Sequence, residues 1–576
     1  MIAGFLKSKQ MKKFLLIYLF FMNLAWTQSP PNVIIMMTDD QGYGDFGCKG
    51  NPIIKTPNID AMASRSFEMN RFYVNAVCSP TRASLMTGRN YYRTGVTDTY
   101  KGRSIMRTQE VTLAEILKDA GYSTGLFGKW HLGDNYPYRP MDQGFDHALY
   151  HLGGGLGQPS EPKENGRRYT DAILFENGKQ INTKGYCADV FFDHAIQWFK
   201  KQKSKNKPFF AYIASNTPHS PYHDVPKKWL DYYSKIDLSP QNFPQTKGHP
   251  LSNKGYKQDT LARIYAMVSN IDDNVGKLFQ SLEQEELIEN TIVVYLNDNG
   301  PNTLRYVGGL SDKKSSHKEG GIRSPIWWHW PTKFNAGHSS DLLSAHIDIM
   351  PTLAEFCKAK LPEDRTIDGR SIAKTLLGGQ QSWDQRTLFI QSHRGYQPEA
   401  LINTSIIQQD WKIESNGSTQ TLFNMKHDPY AMVDVSLNYP EKKSQLISSY
   451  HRWLKELDHE YTNMWGPLHI QLNRNKEPNL VLSMQEKWDK NKSWYLKLNE
   501  AAESHIAFNI KEDLPEIKAE LFLNEQQKFS NHLPLEKGKY HFPKVTLPAG
   551  EVRLKVKVDL SPKENRLWHV FLDEAK

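Results

Sequence analysis

Side chains able to do chemistry gather at the ends of short apolar runs in this sequence. Asp39 and Asp40 close NVIIMMTDD, and Asp298 and Asn299 follow TIVVYL in TIVVYLNDNG. Lys129 and His131 stand two apart in GKWHLG, His219 lies in NTPHSPY after FFAYIAS, and Cys78 opens CSPTRASLMTGR. Two pairs of oxygen donors on two strand ends suit a hard divalent cation. Ca²⁺ takes six to eight oxygens at about 2.3–2.6 Å, and Mg²⁺ about six at shorter range. Taken alone, Asp39-Asp40 can equally cap a turn, where Asp is favoured. Lys129 supplies a point charge and His131 a group that moves protons near neutral pH. Two residues apart on an extended segment, they share a face. Pro80 suits the first turn of a helix. Cys78 then sits at a helix N-terminus, where backbone N–H groups favour negative charge. Arg82, one turn on, offers a planar fork for an oxyanion. A merely buried cysteine is the plain alternative, but it leaves the converging acids and cations unaccounted for.

These groups can meet only if the runs that carry them lie side by side. NVIIMMT reads as a buried parallel strand, TPNIDAMASRSFEMN as a helix, and VTLAEILKDAGYSTGLFGKWHLG as helix, glycine turn and strand. DVFFDHAIQWFKKQ is an amphipathic helix, and KPFFAYIASNTPHSPYH a strand entering a loop. The stretch from Asp259 to Gly300 reads as a long helix, a second helix and a strand; SPIWWHWP and SAHIDIMPTLAEFCKA continue the alternation. This predicts one large α/β domain with a mostly parallel sheet, in which sites form at the carboxyl ends of strands. RTLFIQSH, SIIQQDWKIES and TQTLFNMKHDP then suggest antiparallel strands, with a helix in EKKSQLISSYHRWLKELDHEY. From about residue 466, runs such as KAELFLNEQQ and GEVRLKVKVDL predict an appended β-sandwich-like module. The expected division is 1–27, 28–384, 385–465 and 466–576.

The first segment, 1–27, has the form of a secretory signal: Lys12 and Lys13, an apolar run from Phe14, then small and polar residues, with cleavage near Thr27–Gln28. Its apolar run is too short for a membrane span, so the expectation is export to the periplasm or beyond. The chain of 576 residues has a net charge of +9, part of it contributed by Lys7, Lys9, Lys12 and Lys13 of the leader. No basic stripe with interleaved aromatics marks a nucleic-acid binder. The cysteines, Cys48, Cys78, Cys187 and Cys357, are too widely spaced to suggest a disulfide framework.

Cys78-Ser79-Pro80-Thr81-Arg82, followed by Thr87-Gly88-Arg89, resembles the signature of the type I sulfatase family. GKWHLG at Gly128–Gly133, DNG at Asp298–Gly300 and the EGG-x-R-x-P element at Glu319–Pro325 resemble that family too. The resemblance spans about residues 30–460 and leaves the C-terminal part uncovered. It implies an alkaline-phosphatase-like α/β domain with a smaller α+β C-terminal subdomain. It implies a transient partner, a maturation enzyme that oxidises Cys78 to Cα-formylglycine (3-oxoalanine). The hydrated aldehyde attacks sulfur through one hydroxyl to give a covalent sulfo-enzyme, and deprotonation of the other hydroxyl expels sulfate. Carried over by position, Asp39, Asp40, Asp298 and Asn299 hold Ca²⁺ rather than Mg²⁺, with the modified Cys78 as a further ligand. Arg82 and Lys129 stabilise the modified residue, His131 takes a diol proton, and His219 protonates the leaving alcohol. Lys314 matches a sulfate-contacting lysine. LSDKKSSHKEGG departs there from the family's usual L-R-G-x-K-G-T-T-x-E-G-G, so Lys313 is its neighbouring candidate.

The leader and the extra β-module suggest sulfated carbohydrate as substrate, algal polysaccharide or its oligosaccharides, as for exported sulfatases of marine Bacteroidota. Trp327, Trp328, Trp330, Trp465, Trp488 and Trp494 are candidates for stacking on sugars or for packing. Alternatives are a phosphonate or phosphate ester hydrolase of the same superfamily and a non-catalytic binder of sulfated glycans.

Overall fold

The computed structural model describes residues 29–574, apart from 167, 246, 253, 384–385, 458–459, 462–463, 474, 478, 489–491 and 560–566. The predicted leader, 1–27, lies outside the described residues.

NVIIMMT forms a strand, Asn32–Thr38, with every residue buried. Its two faces enter two different cores: Val33, Ile35 and Met37 on one side, Ile34 and Met36 on the other. A strand buried on both faces has no polar alternation, which is why it reads as a continuous apolar run. It is central in a ten-stranded sheet. Edge to edge the order is Ser339–Ser340, Phe67–Met69, Ile326–His329, Thr291–Asn297, Asn32–Thr38, Phe209–Ala214, Ser123–Lys129, His147–His151, Ile173–Glu176 and Lys179–Asn182. The five strands from Thr291–Asn297 to His147–His151 are mutually parallel; Ile326–His329 on one side and Ile173–Glu176 on the other run antiparallel to them, and Lys179–Asn182 pairs antiparallel with Ile173–Glu176. Helices Pro57–Ser64, Cys187–Ser204 and Gln258–Gln284 cover one face. Cys78–Thr87, Leu113–Asp119 and Ile349–Cys357 cover the other. Thr112 and Glu115 close a capping box at the start of Leu113–Asp119, satisfying two donors that a helix start leaves without partners.

Two elements differ from the sequence reading. TPNIDAMASRSFEMN is not one helix. It stops at Ser64, and Phe67–Met69 becomes a strand paired with Trp327 and Trp328. Phe67 and Met69 are buried while Glu68 is only half-buried, a period of two that pairing enforces over helix propensity. The second helix expected after Gln258–Gln284 is a single 3₁₀ turn, Ile288–Asn290. Glu286 turns left-handed at φ +54 and Leu287 N–H donates back to the Leu282 carbonyl at 2.8 Å, which closes the helix end.

Beyond this sheet, Leu388–Gln391, Thr404–Ile407, Trp411–Ser415 and Gln420–Asn424 form an antiparallel sheet. Helix Pro440–Leu457 packs on it through Leu446, Tyr450 and Trp453. The C-terminal part forms two five-stranded sheets around one core that includes Leu482, Trp494, Phe508, Leu521, Leu554 and Leu572. Ile105 and Tyr138 of the large domain enter that same core. Trp568 Nε1–H also donates to the Glu161 carbonyl at 2.9 Å, so this part is docked rather than tethered. The fold is thus α/β with a mostly parallel sheet and additional β-rich sheets at the C-terminus. All four cysteines are unpaired.

Candidate active site

The parallel register sets the carboxyl ends of neighbouring strands at one level, and there the reactive residues converge. Asp39 and Asp40 follow Asn32–Thr38, and Asp298 and Asn299 follow Thr291–Asn297 beside them. Asp40 N–H donates to Asp298 Oδ1 at 3.2 Å and Asn299 Nδ2 to Asp40 Oδ1 at 2.8 Å. Lys129, the last residue of its strand, places Nζ 2.7 Å from Asp39 Oδ2. Arg82 donates from Nη2 to Asp298 Oδ2 and from Nη1 to the Lys129 carbonyl, both at 2.8 Å. Strand Ser123–Lys129 reaches this depth because Gly128 approaches Ala214 so closely that a Cβ would lie 2.0 Å from its carbonyl oxygen. At φ +119 glycine is also the residue that fits the backbone there.

Cys78 begins helix Cys78–Thr87, all ten residues of which are buried, and Gly88 ends it at φ +66. Its Sγ lies 3.4 Å from His131 Nδ1, while His131 Nε2 lies 2.8 Å from the Thr99 carbonyl. A carbonyl only accepts, so Nε2 carries the proton and the neutral ring turns its Nδ1 lone pair on Cys78. Burial, reinforced by Lys129, holds His131 well below its ordinary pKa. His219 Nδ1–H likewise donates to the Ser220 carbonyl at 2.6 Å, which leaves Nε2 facing Asp40 Oδ2 at 3.7 Å. Burial dominates in pushing His219 down to about 3, against the pull of Asp40. Lys314 Nζ lies 2.5 Å from Asp40 Oδ1, whereas Lys313 Nζ turns away to the Asn302 carbonyl at 3.1 Å. Of the two lysines, Lys314 reaches the site.

Lys129 and His131 both arrive, though not by strand alternation. The strand ends at Lys129, and His131 adopts φ +59 beyond it. The left-handed residue, not the period of two, turns the ring back onto Cys78.

The acids suit a hard cation. Asp39 Oδ1, Asp40 Oδ2 and Asn299 Oδ1 are buried oxygens without a hydrogen-bond partner, a costly state that a metal ion relieves. Ligand atoms of Asp39, Cys78 and Asp298 lie within 4.8 Å of one another, as do those of Asp39, Asp40 and His219. That spacing is about twice a Ca²⁺–oxygen distance. Burial and the neighbouring Asp39 push Asp298 up to about 6 despite Arg82 and Lys129. Burial also acts to raise Asp40, but Lys314, His219 and Asn299 together hold it below the usual carboxylate range.

A cleft of about 680 Å³ opens over Cys78, His131, His219 and Lys314. Arg394 lines it, held by Asp98 Oδ1 and Thr99 Oγ1 at 2.9 and 3.0 Å. So do Gln485, Lys487 and Lys492 from the C-terminal sheets. The sequence reading missed these four, which follow no motif and reach the cleft only through domain docking. Five of the six tryptophans considered for sugar stacking, Trp327, Trp328, Trp330, Trp488 and Trp494, are buried. Trp465 and Trp488 line a separate cavity of about 770 Å³ with Tyr396 and Tyr495.

A family model described as sulfatase matches residues 31–358, more than half of the chain. The chain belongs to the sulfatase family. A second model, of the N-sulphoglucosamine sulphohydrolase C-terminal region, matches residues 308–460. This sulfatase is 31% identical over 385 residues to N-acetylgalactosamine-6-sulfatase of Canis lupus familiaris, covering 62% of this chain and 68% of that one. It is 32% identical over 400 residues to arylsulfatase A of Homo sapiens, covering 63% and 71%. A crystal structure named Ps i-CgsB matches at 28% identity and a TM-score of 0.64, covering 74% of this chain and 93% of that one. It has also been solved in complex with k-i-k-neocarrahexaose. The chain is therefore a sulfuric ester hydrolase with the alkaline-phosphatase-like fold of its superfamily. Among the described residues no helix is long and apolar enough to cross a membrane.

Proposed function

We propose that this sulfatase removes sulfate from sulfated carbohydrate by way of a formylglycine made from Cys78, with Ca²⁺ held by Asp39, Asp40, Asp298 and Asn299. The supporting observation is a single cluster. Cys78 Sγ faces a lone pair of His131 at 3.4 Å, beside three buried acceptor oxygens that lack partners. When bound, the cation supplies Lewis acidity toward the sulfate oxygens. Matured Cys78 supplies a gem-diol, whose second hydroxyl is a built-in means of releasing the sulfate. The chain's own side chains do the rest. His131 Nδ1, fixed as acceptor by the Thr99 carbonyl, takes a proton from residue 78. Lys129 and Lys314 face the anionic oxygens. Arg82, tied to Asp298 and the Lys129 carbonyl, sets the helix start against the strand ends. His219 is held neutral by burial beside Lys314 and Lys129. An arriving sulfate opposes Lys314 and Lys129 and so raises its pKa, letting Nε2 carry a proton to the leaving oxygen.

Carbohydrate is the favoured substrate because relatives named for sugars and a structure solved with neocarrahexaose share this frame. The organisation 28–384, 385–465 and 466–576, maturation by a separate oxidising enzyme, and export by the leader belong to the same reading. Mass spectrometry of the peptide carrying residue 78 tests it. Conversion of thiol to aldehyde lowers the mass by about 18 Da, and sulfate release should track the converted fraction. Phosphonate ester turnover above sulfate ester turnover would overturn the assignment of substrate.

A further inference from the structure

We propose that Tyr169 is the positioning residue for His219: its buried hydroxyl holds the two carbonyls that aim the imidazole Nε2 into the cleft. The inference rests on the reading in which His219 protonates the leaving oxygen, and it deepens that reading.

His219 sits on the loop between Phe209–Ala214 and Lys227–Tyr233, so no strand or helix sets the direction of its ring. The chain leading to it is tied at Thr217, whose carbonyl accepts from Asp39 N–H at 3.1 Å. Beyond that point the Tyr169 hydroxyl reaches two successive carbonyls, that of His219 at 2.9 Å and that of Ser220 at 2.8 Å. The Ser220 carbonyl is also the one that accepts His219 Nδ1–H at 2.6 Å. A carbonyl oxygen has two lone pairs, and here the phenol and the imidazole take one each. Moving that oxygen turns the ring or frees its Nδ1 proton, and in either case Nε2 loses its aim past Asp40 Oδ2. On its other side the ring meets Gly155, where an added Cβ would lie 3.3 Å from Nδ1.

Tyr169 is itself firmly placed. Its N–H and that of Thr170 donate to Asp224 Oδ2 at 2.8 and 2.7 Å, and Thr170 Oγ1 donates to Asp224 Oδ1 at 2.9 Å. Its carbonyl accepts from the N–H of Cys187, the first residue of helix Cys187–Ser204, at 2.7 Å. The loop from His219 to Asp224 is therefore pinned at both ends to the same two residues, Tyr169 and Thr170. The Tyr169 ring has no solvent exposure and meets Tyr186 edge-on at 6.1 Å. Burial raises its hydroxyl well above the ordinary pKa, so it remains a donor. Phenylalanine would fill the same space. A core without need of those two bonds gains nothing from burying a hydroxyl, which is costly unless bonded.

The test compares wild type, Tyr169→Phe and His219→Ala in the full, matured, Ca²⁺-loaded chain on two esters. Phenyl sulfate has a basic leaving oxygen that needs a proton, and 4-nitrophenyl sulfate has one that needs it far less. In Tyr169→Phe, kcat on phenyl sulfate should fall about 10–10²-fold, as for a misplaced reacting group. On 4-nitrophenyl sulfate it should fall less than about three-fold, with both KM values within about two-fold. In the His219→Ala background the substitution should cost nothing further. Equal losses on the two esters, no loss on either, or a full further loss without His219 would overturn the proposal. Asp224→Asn keeps the hydroxyl but loosens its backbone anchor; it should give the same split in smaller measure, and it decides the matter if Tyr169→Phe does not fold. A second readout needs no turnover. The ¹⁵N shifts of the histidine rings at neutral pH, assigned by difference against His219→Ala, should show Nδ1 protonated in wild type and the proton divided between both nitrogens in Tyr169→Phe. An unchanged ring overturns the positioning role of Tyr169. Absence of wild-type turnover, or equal losses by His219→Ala on both esters, overturns instead the reading of His219 as the acid.

Discussion

The floor of the cleft and its outer wall are held by opposite means. In the floor, Arg82 and Asp298, Lys129 and Asp39 are ion pairs with no solvent exposure. They are fixed at the ends of parallel strands whose register sets their spacing. In the wall, Lys487 is half-buried and Lys492 exposed, on a segment positioned by hydrogen bonds across a domain junction. Buried, mutually satisfied charges make a rigid site for one small anion, because removing either partner strands a charge in low dielectric. The comparison sets the reacting groups on a rigid floor and the C-terminal sheets at the rim of the cleft.

The strongest test of that division is at the floor. Cys78→Ala should abolish sulfate release to the detection limit of a discontinuous sulfate assay, with the thermal midpoint little changed. Measurable turnover by the formylglycine-free protein would break the comparison. His131→Ala should lower kcat by about 10²–10⁴-fold, the range for a positioned proton acceptor, as read by steady-state kinetics on an aryl sulfate. Arg82→Ala strands Asp298 among Asp39 and Asp40. It should cost about 3–5 kcal/mol of stability, as for other broken buried pairs, measured by denaturant unfolding.

Metal dependence sharpens the same contrast. Ca²⁺ at a hundred times its Kd should stabilise the protein by about 2.7 kcal/mol relative to the chelated form, read by calorimetry. Asp298, raised to about 6 by burial and Asp39, retains a proton below that pH in the metal-free protein. Apparent Ca²⁺ affinity should therefore fall as pH drops through about 6.

The smallest expected effect lies at the junction behind the wall. Burial pushes Asp134 up to about 7, and burial and Asp134 raise Glu486 as well. The folded form thus binds the Asp134 proton more tightly than the unfolded chain does. This stabilisation is present at low pH and is lost as pH rises from about 4 to about 7. Asp134→Asn should flatten that slope in thermal midpoints measured across pH.

Legibility in the sequence follows the same line. Asn32–Thr38, Phe209–Ala214 and Thr291–Asn297 were readable as strands because burial on both faces demands nearly continuous apolar runs, and Ser123–Lys129 was readable from the helix and glycine turn that precede it. Their reactive ends were readable because parallel register carries adjacent strand ends to one place. Phe67–Met69 was not readable, since three residues take their conformation from pairing with Trp327 and Trp328 rather than from local preference. The choice of Lys314 over Lys313 was also open in the sequence: only the fold turns one ammonium to Asp40 and the other to a backbone carbonyl.

By itself, then, the sequence determined the parallel α/β frame and the floor: Cys78 at a helix start, and acids, lysine and histidines at strand ends. Local chemistry and spacing carry that much, because each residue is tied to the end of its own element. Tertiary structure alone decided the tautomer and aim of His131, through a carbonyl 32 residues away in the chain. It alone brought Gln485, Lys487 and Lys492 over Cys78. No local pattern encodes that approach, because it arises where Ile105 and Tyr138 of the large domain enter the core of the C-terminal sheets.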